Sequence, residues 1–320
     1  MAGMTYRQLG DSGLTVSTVG LGCNQIGRKL DLAGTRAVVD AAFDGGITFF
    51  DAADIYGSSV GSCEDLLGQA LEGRRDRVVL ATKFGMPTGG MTLPAHEALG
   101  SRRYIRASIE GSLRRLRTDY IDLYQMHRPD ALTPIEETLA ALDEIVREGK
   151  VRYIGSSQFN GWQVIDADWT ARASGGARFV STQSQYNLLE RGAESELLPA
   201  AEHVGVGFIP FYPLARGLLT GKYRRAEAAP EGTRLAGATE ILETANWSVI
   251  EALQKFAAAR GISMLDVAIG GLAAQPGVST VIVGATKPEQ VLANASAVAW
   301  EPAQVDLVEL DDITGAARGH

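Results

Sequence analysis

Sulfur is scarce in this chain: two cysteines, Cys23 and Cys63, stand in 320 residues. Two thiols cannot build the disulfide framework that holds small secreted domains together, so a reducing, cytoplasmic setting is expected. Positive charge is not in excess either, since 30 Lys and Arg face 38 Asp and Glu and leave a formal charge of −8. That balance repels phosphate backbones and anionic membrane surfaces, so neither nucleic acid nor membrane is expected as a partner, and any anionic ligand needs a local site. No run is apolar for the ~20 residues of a membrane span, and the first nine residues, which include Arg7, hold no stretch of signal-peptide length. No Gly-x-Gly-x-x-Gly follows a first strand, and Gly20-Leu21-Gly22 alone is too short to support a Rossmann site. His96, His203 and His320 lack metal-ligand spacing, and no metal is expected. Cys23 and Cys63 form neither a CxxC pair nor a nucleophile-base motif. Cys23 reads as a small packing residue and Cys63 as a helix-start neighbour of Glu64.

What is present is a steady supply of apolar residues, 45% of the chain against 21% charged, spread from end to end without low-complexity tracts. Such a chain folds throughout. Residues 4–17 read as a hairpin turning through Gly10-Asp11-Ser12-Gly13. Thereafter short β-rich runs alternate with amphipathic helical stretches, the pattern of parallel strands joined by crossover helices. The runs are 18–21, 47–51, 78–82, 121–126, 151–155, 179–183, 207–211 and 280–283. Helices are expected over 34–44, 64–72, 101–116, 133–148, 161–174, 194–203, 246–260 with 265–274, and 288–296. Thr133, Pro134 and Glu136 supply a cap, an N1 proline and a capping-box acid, and Gly149 stops that helix. Eight such units in about three hundred residues fit one closed (β/α)₈ barrel, a single α/β domain over 1–320 preceded by a short hairpin. Two connections are long, 84–100 and 214–245, and both fall on the carboxyl face where barrel active sites are built.

Asp51 ends the second barrel strand, Tyr56 follows it, Lys83 ends the third and His127 ends the fourth, so all four converge on one rim. A phenol is a poor acid at neutral pH. A neighbouring ammonium, Lys83, is expected to lower its pKa, with Asp51 holding Lys83 charged and His127 donating a hydrogen bond to a substrate oxygen. Singly, each has an ordinary reading as ion pair, loop aromatic or strand-end histidine; together they form a proton-transfer set with Tyr56 as donor.

The stretches Gly46-Ile47-Thr48-Phe49-Phe50-Asp51-Ala52-Ala53-Asp54-Ile55-Tyr56-Gly57, Ala81-Thr82-Lys83 and His127-Arg128-Pro129-Asp130 closely resemble the aldo-keto reductase family. The resemblance extends through Gly20-Leu21-Gly22, residues 149–155, residues 213–221 and residues 284–290 to nearly the whole chain. It implies reversible, NADPH-dependent carbonyl reduction with Tyr56 as acid, assisted by Asp51, Lys83 and His127. It also implies that Ser157, Gln158 and Gln183 hold the nicotinamide carboxamide and that its ring stacks on Phe211. Gly22 and Gly284 fall at the same cofactor site. Gln158 replaces the family's usual asparagine and Phe211 its usual tyrosine; the adjacent Tyr212 should point the opposite way by strand alternation.

Leu214, Gly217 and Leu218 resemble the segment that folds over the diphosphate, with Lys222 as a further cation. Thr286, Lys287, Gln290 and Asn294 gather where the eighth strand meets its helix, placing Lys287 and Thr286 near a 2′-phosphate and favouring NADPH over NADH. An arginine is frequent in the family where Gln290 stands, which weakens that preference. Substrate contacts are expected from Tyr56, His127, Asn24, Gln25, Ile26, Met86 and Arg128, the last an anchor for an anionic group unless it pairs with Asp130. A cofactor-bound regulatory subunit, and more distantly an isomerase or aldolase of sugar phosphates, remain as alternatives. Substrate identity, reaction direction and oligomeric state are left open.

Overall fold

The computed structural model describes residues 3–315, so His320 lies outside the described residues. The hairpin pairs β1 (Tyr6–Gln8) with β2 (Thr15–Ser17) in antiparallel register. Eight parallel strands follow: β3 (Val19–Gly22), β4 (Phe49–Asp51), β5 (Val79–Phe84), β6 (Ile121–Met126), β7 (Val151–Ser157), β8 (Phe179–Gln185), β9 (Gly207–Phe211) and β10 (Val281–Gly284). They are ordered β10-β3-β4-β5-β6-β7-β8-β9. Beyond the last pairing, Phe208 bridges Val278 in parallel, with Phe208 N–H to Gly277 O at 2.9 Å and Ser279 N–H to Phe208 O at 2.9 Å. This joins β9 to the segment entering β10 and closes a (β/α)₈ barrel.

Period-2 alternation sorts the strand side chains. Inward, Phe49, Ala81, Leu123, Ile209 and Ile282 form an apolar layer at the amino end, and Leu9 and Val16 of the hairpin pack against it as a plug. Gly10 at the hairpin turn has φ +57, and a Cβ there would lie 2.5 Å from Gly207 N and 2.6 Å from Gly205 O, so only glycine lets the plug seat. Outward, Phe50, Leu80, Tyr124 and Ile154 pack under the helical layer.

That layer comprises α1 (Leu32–Asp44), α2 (Ser62–Ala70), α3 (Arg102–Leu116), α4 (Ile135–Arg147), α5 (Gly161–Ser174), α6 (Leu197–His203), α7 (Thr239–Glu243), α8 (Trp247–Arg260), α9 (Gly271–Ala273) and α10 (Pro288–Ser296). Local chemistry starts and stops several of them: Asp31 accepts the Gly34 N–H ahead of α1, Ser101 accepts the Tyr104 N–H ahead of α3, and left-handed Gly175 ends α5. The start expected at Thr133 shifts: Pro134 occupies the cap position of α4, and the Thr133 hydroxyl donates to Asp130 at 2.7 Å. With proline at the cap position there is no side-chain oxygen to accept a first-turn N–H, so no capping box forms. The stretch expected as helix over 265–274 is a π-helical turn, Asp266–Gly270, leading into α9.

Two helices were not foreseen. The short α7 lies inside the long connection after β9. The second, α11 (Gln304–Thr314), returns the chain to the barrel wall through buried Leu310, with Arg191 bonded to Asp311 and Thr314 at 2.8 Å each. Cys23 and Cys63 are both buried and free, the Cys63 thiol donating to the Cys23 carbonyl at 3.3 Å. Among the described residues no helix is long and apolar enough to cross a membrane.

Candidate active site

One polar layer sits directly above the apolar floor of the barrel. Parallel register sets Gly22 beside Asp51, Lys83 beside Gln125 and Ser157 beside Gln183, so residues far apart in sequence enter at one height. Lys83 is wholly buried and its Nζ donates to Asp51 Oδ2 at 2.6 Å, to the Ala52 carbonyl at 3.0 Å and to Tyr56 Oη at 3.4 Å. A buried ion pair is tolerable only when the remaining donors and lone pairs are also used. All three ammonium hydrogens have acceptors here. The other Asp51 oxygen accepts the amides of Gln125 at 3.1 Å and Gln183 at 3.0 Å.

An ammonium has no lone pair, so Tyr56 must accept from Lys83, and its own O–H is left free to turn toward the mouth. The sequence led us to expect that Lys83 lowers the Tyr56 pKa; instead it stands well above the usual phenol value. Burial is the first cause and the Asp51 carboxylate the second, because the charge of Lys83 is already matched by Asp51. The phenol is therefore held protonated, and Lys83 can stabilise a phenolate only as it forms.

His127 follows β6 directly and sits edge-on to the Tyr56 ring, with centroids 5.8 Å apart. Burial, then the charges of Lys83 and Arg128, push its pKa down to about 3, so the imidazole is neutral across the physiological range. It can donate a hydrogen bond without first losing a charge. Arg128 is exposed, and the Asp130 carboxylate is occupied by Gly100 N–H, Leu132 N–H and the Thr133 hydroxyl. The suggested Arg128–Asp130 pair is not formed.

The expected cofactor residues cluster around this layer. Ser157 ends β7 with a buried hydroxyl that has no partner among the described residues. Gln158, in a left-handed conformation (φ 57), donates its side-chain amide to the His127 carbonyl at 3.2 Å. Gln183 points into the barrel, its amide hydrogens on Asp51 and, at 3.4 Å, on Gln125, which leaves its Oε1 as the side-chain atom for a ligand. Phe211 is the half-buried last residue of β9. Tyr212 departs from the expectation: with φ +57 it has left the strand, so alternation does not apply, and its ring meets Phe211 edge-on at 5.1 Å.

After Tyr212, Leu214, Gly217 and Leu218 form a tight turn, with Gly217 at φ +111 and its N–H on the Leu214 carbonyl at 2.7 Å; Lys222 beyond it is exposed. Across the mouth Gln290 Oε1 accepts the Thr286 N–H at 2.8 Å, Lys287 caps α10 ahead of Pro288, and Asn294 is buried beneath. Gly22 and Gly284 pair in adjacent strands, and a Cβ on Gly284 would stand 3.4 Å from Asn24 Oδ1. Ile26, named as a substrate contact, is instead fully buried beneath the helices. Gln125 went unnoticed in the sequence, although its inward place on β6 is a signal that alternation could have given.

Comparison with known proteins adds the deciding observation. The model of the Aldo/keto reductase family matches residues 18–314. The chain belongs to this family. An uncharacterized oxidoreductase of Bacillus subtilis (strain 168) is 39% identical over 301 residues, 92% of this chain and 91% of the relative. L-glyceraldehyde 3-phosphate reductase of Escherichia coli (strain K12) is 35% identical, covering 92% and 88% of the two chains. A probable voltage-gated potassium channel subunit beta of Oryza sativa subsp. japonica is 36% identical, covering 92% and 91%. As an aldo/keto reductase the protein is an oxidoreductase of carbonyl compounds, and the buried Asp51–Lys83–Tyr56 chain with His127 is its candidate catalytic centre.

Proposed function

We propose that this aldo/keto reductase uses NADPH to reduce an aldehyde or ketone to the alcohol, with Tyr56 as proton donor. The observation that carries the reading is the Lys83 ammonium held between Asp51 and the Tyr56 oxygen. NADPH, when bound, supplies a hydride to the carbonyl carbon. His127 donates to the carbonyl oxygen, Tyr56 delivers its proton to that oxygen, and Lys83 steadies the tyrosinate left behind. The orphaned Ser157 hydroxyl suits a carboxamide, as does the free Oε1 of Gln183, with Gln158 closing that side. Phe211 would stack on the ring, Leu214, Gly217, Leu218 and Lys222 would hold the diphosphate, and Thr286, Lys287, Gln290 and Asn294 the 2′-phosphate. Gly22 and Gly284 leave the room that a Cβ would fill.

A small carbonyl compound is the partner this site calls for, in a cytoplasmic setting where NADPH is supplied. Arg128, exposed next to His127, favours substrates with a phosphate or carboxylate, in keeping with the name of the glyceraldehyde 3-phosphate reductase relative. The test is NADPH oxidation by the purified protein across aldehydes, ketones, 2-oxo aldehydes and glyceraldehyde 3-phosphate, repeated with Tyr56→Phe. We expect the variant to keep less than about a tenth of kcat while titration of cofactor fluorescence shows NADPH binding preserved. A variant above that level removes Tyr56 as donor. Absence of turnover with every carbonyl, with NADPH still bound, would favour the binding role suggested by the potassium channel subunit relative.

A further inference from the structure

Behind the catalytic layer lies a second set of buried polar groups. Glu64 of α2 is fully buried, and both its oxygens are used, one by the Thr82 hydroxyl at 2.6 Å and the other by Arg115 of α3 at 2.7 Å. Asp54, in the loop after β4, is 1% exposed, and neither of its carboxyl oxygens has a partner among the described residues. Its backbone is tied to the catalytic strand: Asp54 N–H donates to the Lys83 carbonyl at 3.2 Å, and its carbonyl accepts the Gly61 N–H at 2.6 Å.

The charges that face Asp54 are Glu64, Arg115 and Lys83, together with the phenols of Tyr104 and Tyr124. Arg115 is spent on Glu64, and the three hydrogens of Lys83 are directed at Asp51, Ala52 and Tyr56. An ionised Asp54 would be a desolvated anion drawing only on the N–H of the adjacent Ile55, too little to offset its burial, and proteins avoid that arrangement by taking up a proton.

We propose that Asp54 is a buried neutral carboxylic acid held behind Lys83 by its backbone, and that its ionisation turns carbonyl reduction down. Burial, then the charge of Glu64, push its pKa up to about 8. Once ionised, Asp54 adds a negative charge behind Lys83, drawing on the ammonium that Tyr56 needs and opposing formation of the tyrosinate. The second half of the proposal rests on the reading of Tyr56 as donor; the first half does not.

The sign for stability follows from the same ionisation. The native state keeps a proton that the unfolded chain, with an ordinary aspartate pKa of about 3.9, has given up. Stability from this group is therefore complete below about pH 4, declines as pH rises, and levels off once the folded carboxyl ionises near 8. Asp54→Asn keeps a neutral side chain of the same shape and removes this dependence.

The experiment is a pair of profiles on the full chain, melting temperature from pH 5 to 9 and kcat/KM for carbonyl reduction from pH 7 to 9, for the wild type and Asp54→Asn. We expect the wild-type melting temperature to fall relative to that of the variant as pH rises to 8. We also expect the wild-type rate to drop about tenfold from pH 7 to 9, as one ionisation near 8 dictates, against less than about twofold within the variant. Parallel melting profiles overturn the neutral acid. Separated melting profiles with equal rate ratios overturn the gating. If no carbonyl turns over in either protein, the reductase reading fails while the melting profiles still decide Asp54. Should Asp54→Asn not fold, Glu64→Gln frees Arg115 for Asp54, and the wild-type melting step should move to lower pH; an unmoved step overturns the proposal.

Discussion

Lys287 stands exposed at the cap of α10, where unpaired N–H groups and the positive end of the helix dipole point at the mouth. A charge-assisted contact with a 2′-phosphate contributes roughly 1.5–3 kcal/mol, so Lys287→Ala should raise the NADPH dissociation constant on the order of tenfold or more and leave NADH nearly unchanged. Titration of both dinucleotides at one ionic strength checks this; equal effects exclude Lys287 from phosphate binding. Gln290 is already bonded to Thr286, which fixes the loop shape and leaves Lys287 as the charged member of the group. Asp51, Tyr56, Lys83 and His127 were legible in the sequence because each stands at or just past a recognisable strand end. Gln125 and Asp54 were not, because their roles depend on partners brought by other elements: Gln125 meets Asp51 across 74 positions of sequence, and the isolation of Asp54 follows from where Arg115 is spent. The direction of the Tyr56 shift was missed for the same reason, since nearness of an ammonium says nothing of the carboxylate that already neutralises it.

Among the elements, the connection after β9 separates most clearly into anchored and loose parts. Tyr223 and Leu235 are buried, and the Tyr223 hydroxyl accepts the Leu235 N–H at 3.4 Å, while most residues between them are exposed. Its amides should therefore gain protection from hydrogen exchange when NADPH is added, most strongly over 224–234; unchanged protection throughout 214–245 would count against a cofactor-linked clasp. Strand positions were readable within two residues, since β-branched and aromatic runs mark them, as at β6 and β9. The α11 helix was not, because Leu310 is its only buried residue and the acids Asp306, Glu309 and Asp311 obscure any apolar stripe. It is held by Arg191 and Arg260 from other parts of the chain, a pairing no local pattern announces. The α4 start failed by one residue, because Pro134 and not Thr133 takes the cap position.

For the molecule as a whole, the barrel was legible from its βα rhythm, and the hairpin from its glycine turn, but not the use to which the hairpin is put. Seating it depends on Gly10, where a Cβ would also come within 2.8 Å of the Val180 carbonyl. The three atoms nearest that point are all backbone, so the clash cannot be relieved by turning a side chain. Gly10→Ala should destabilise the protein by more than about 2 kcal/mol in urea unfolding with unchanged slope. The kcat of the folded fraction should stay within about twofold, because the polar layer lies at the other end; a loss of kcat with stability intact would contradict this placement.

The sealed floor has a bearing on traffic. Leu9, Val16 and the ring of Phe49, Ala81, Leu123, Ile209 and Ile282 close the rear with apolar side chains, and the Ser181 and Thr280 hydroxyls buried near them have no hydrogen-bond partner among the described residues, so they form no continuous file to the rear. On the proposed role of Tyr56, the proton spent in each cycle must re-enter by the doorway through which the alcohol leaves, so product departure and recharging of the phenol share one route and occur in that order.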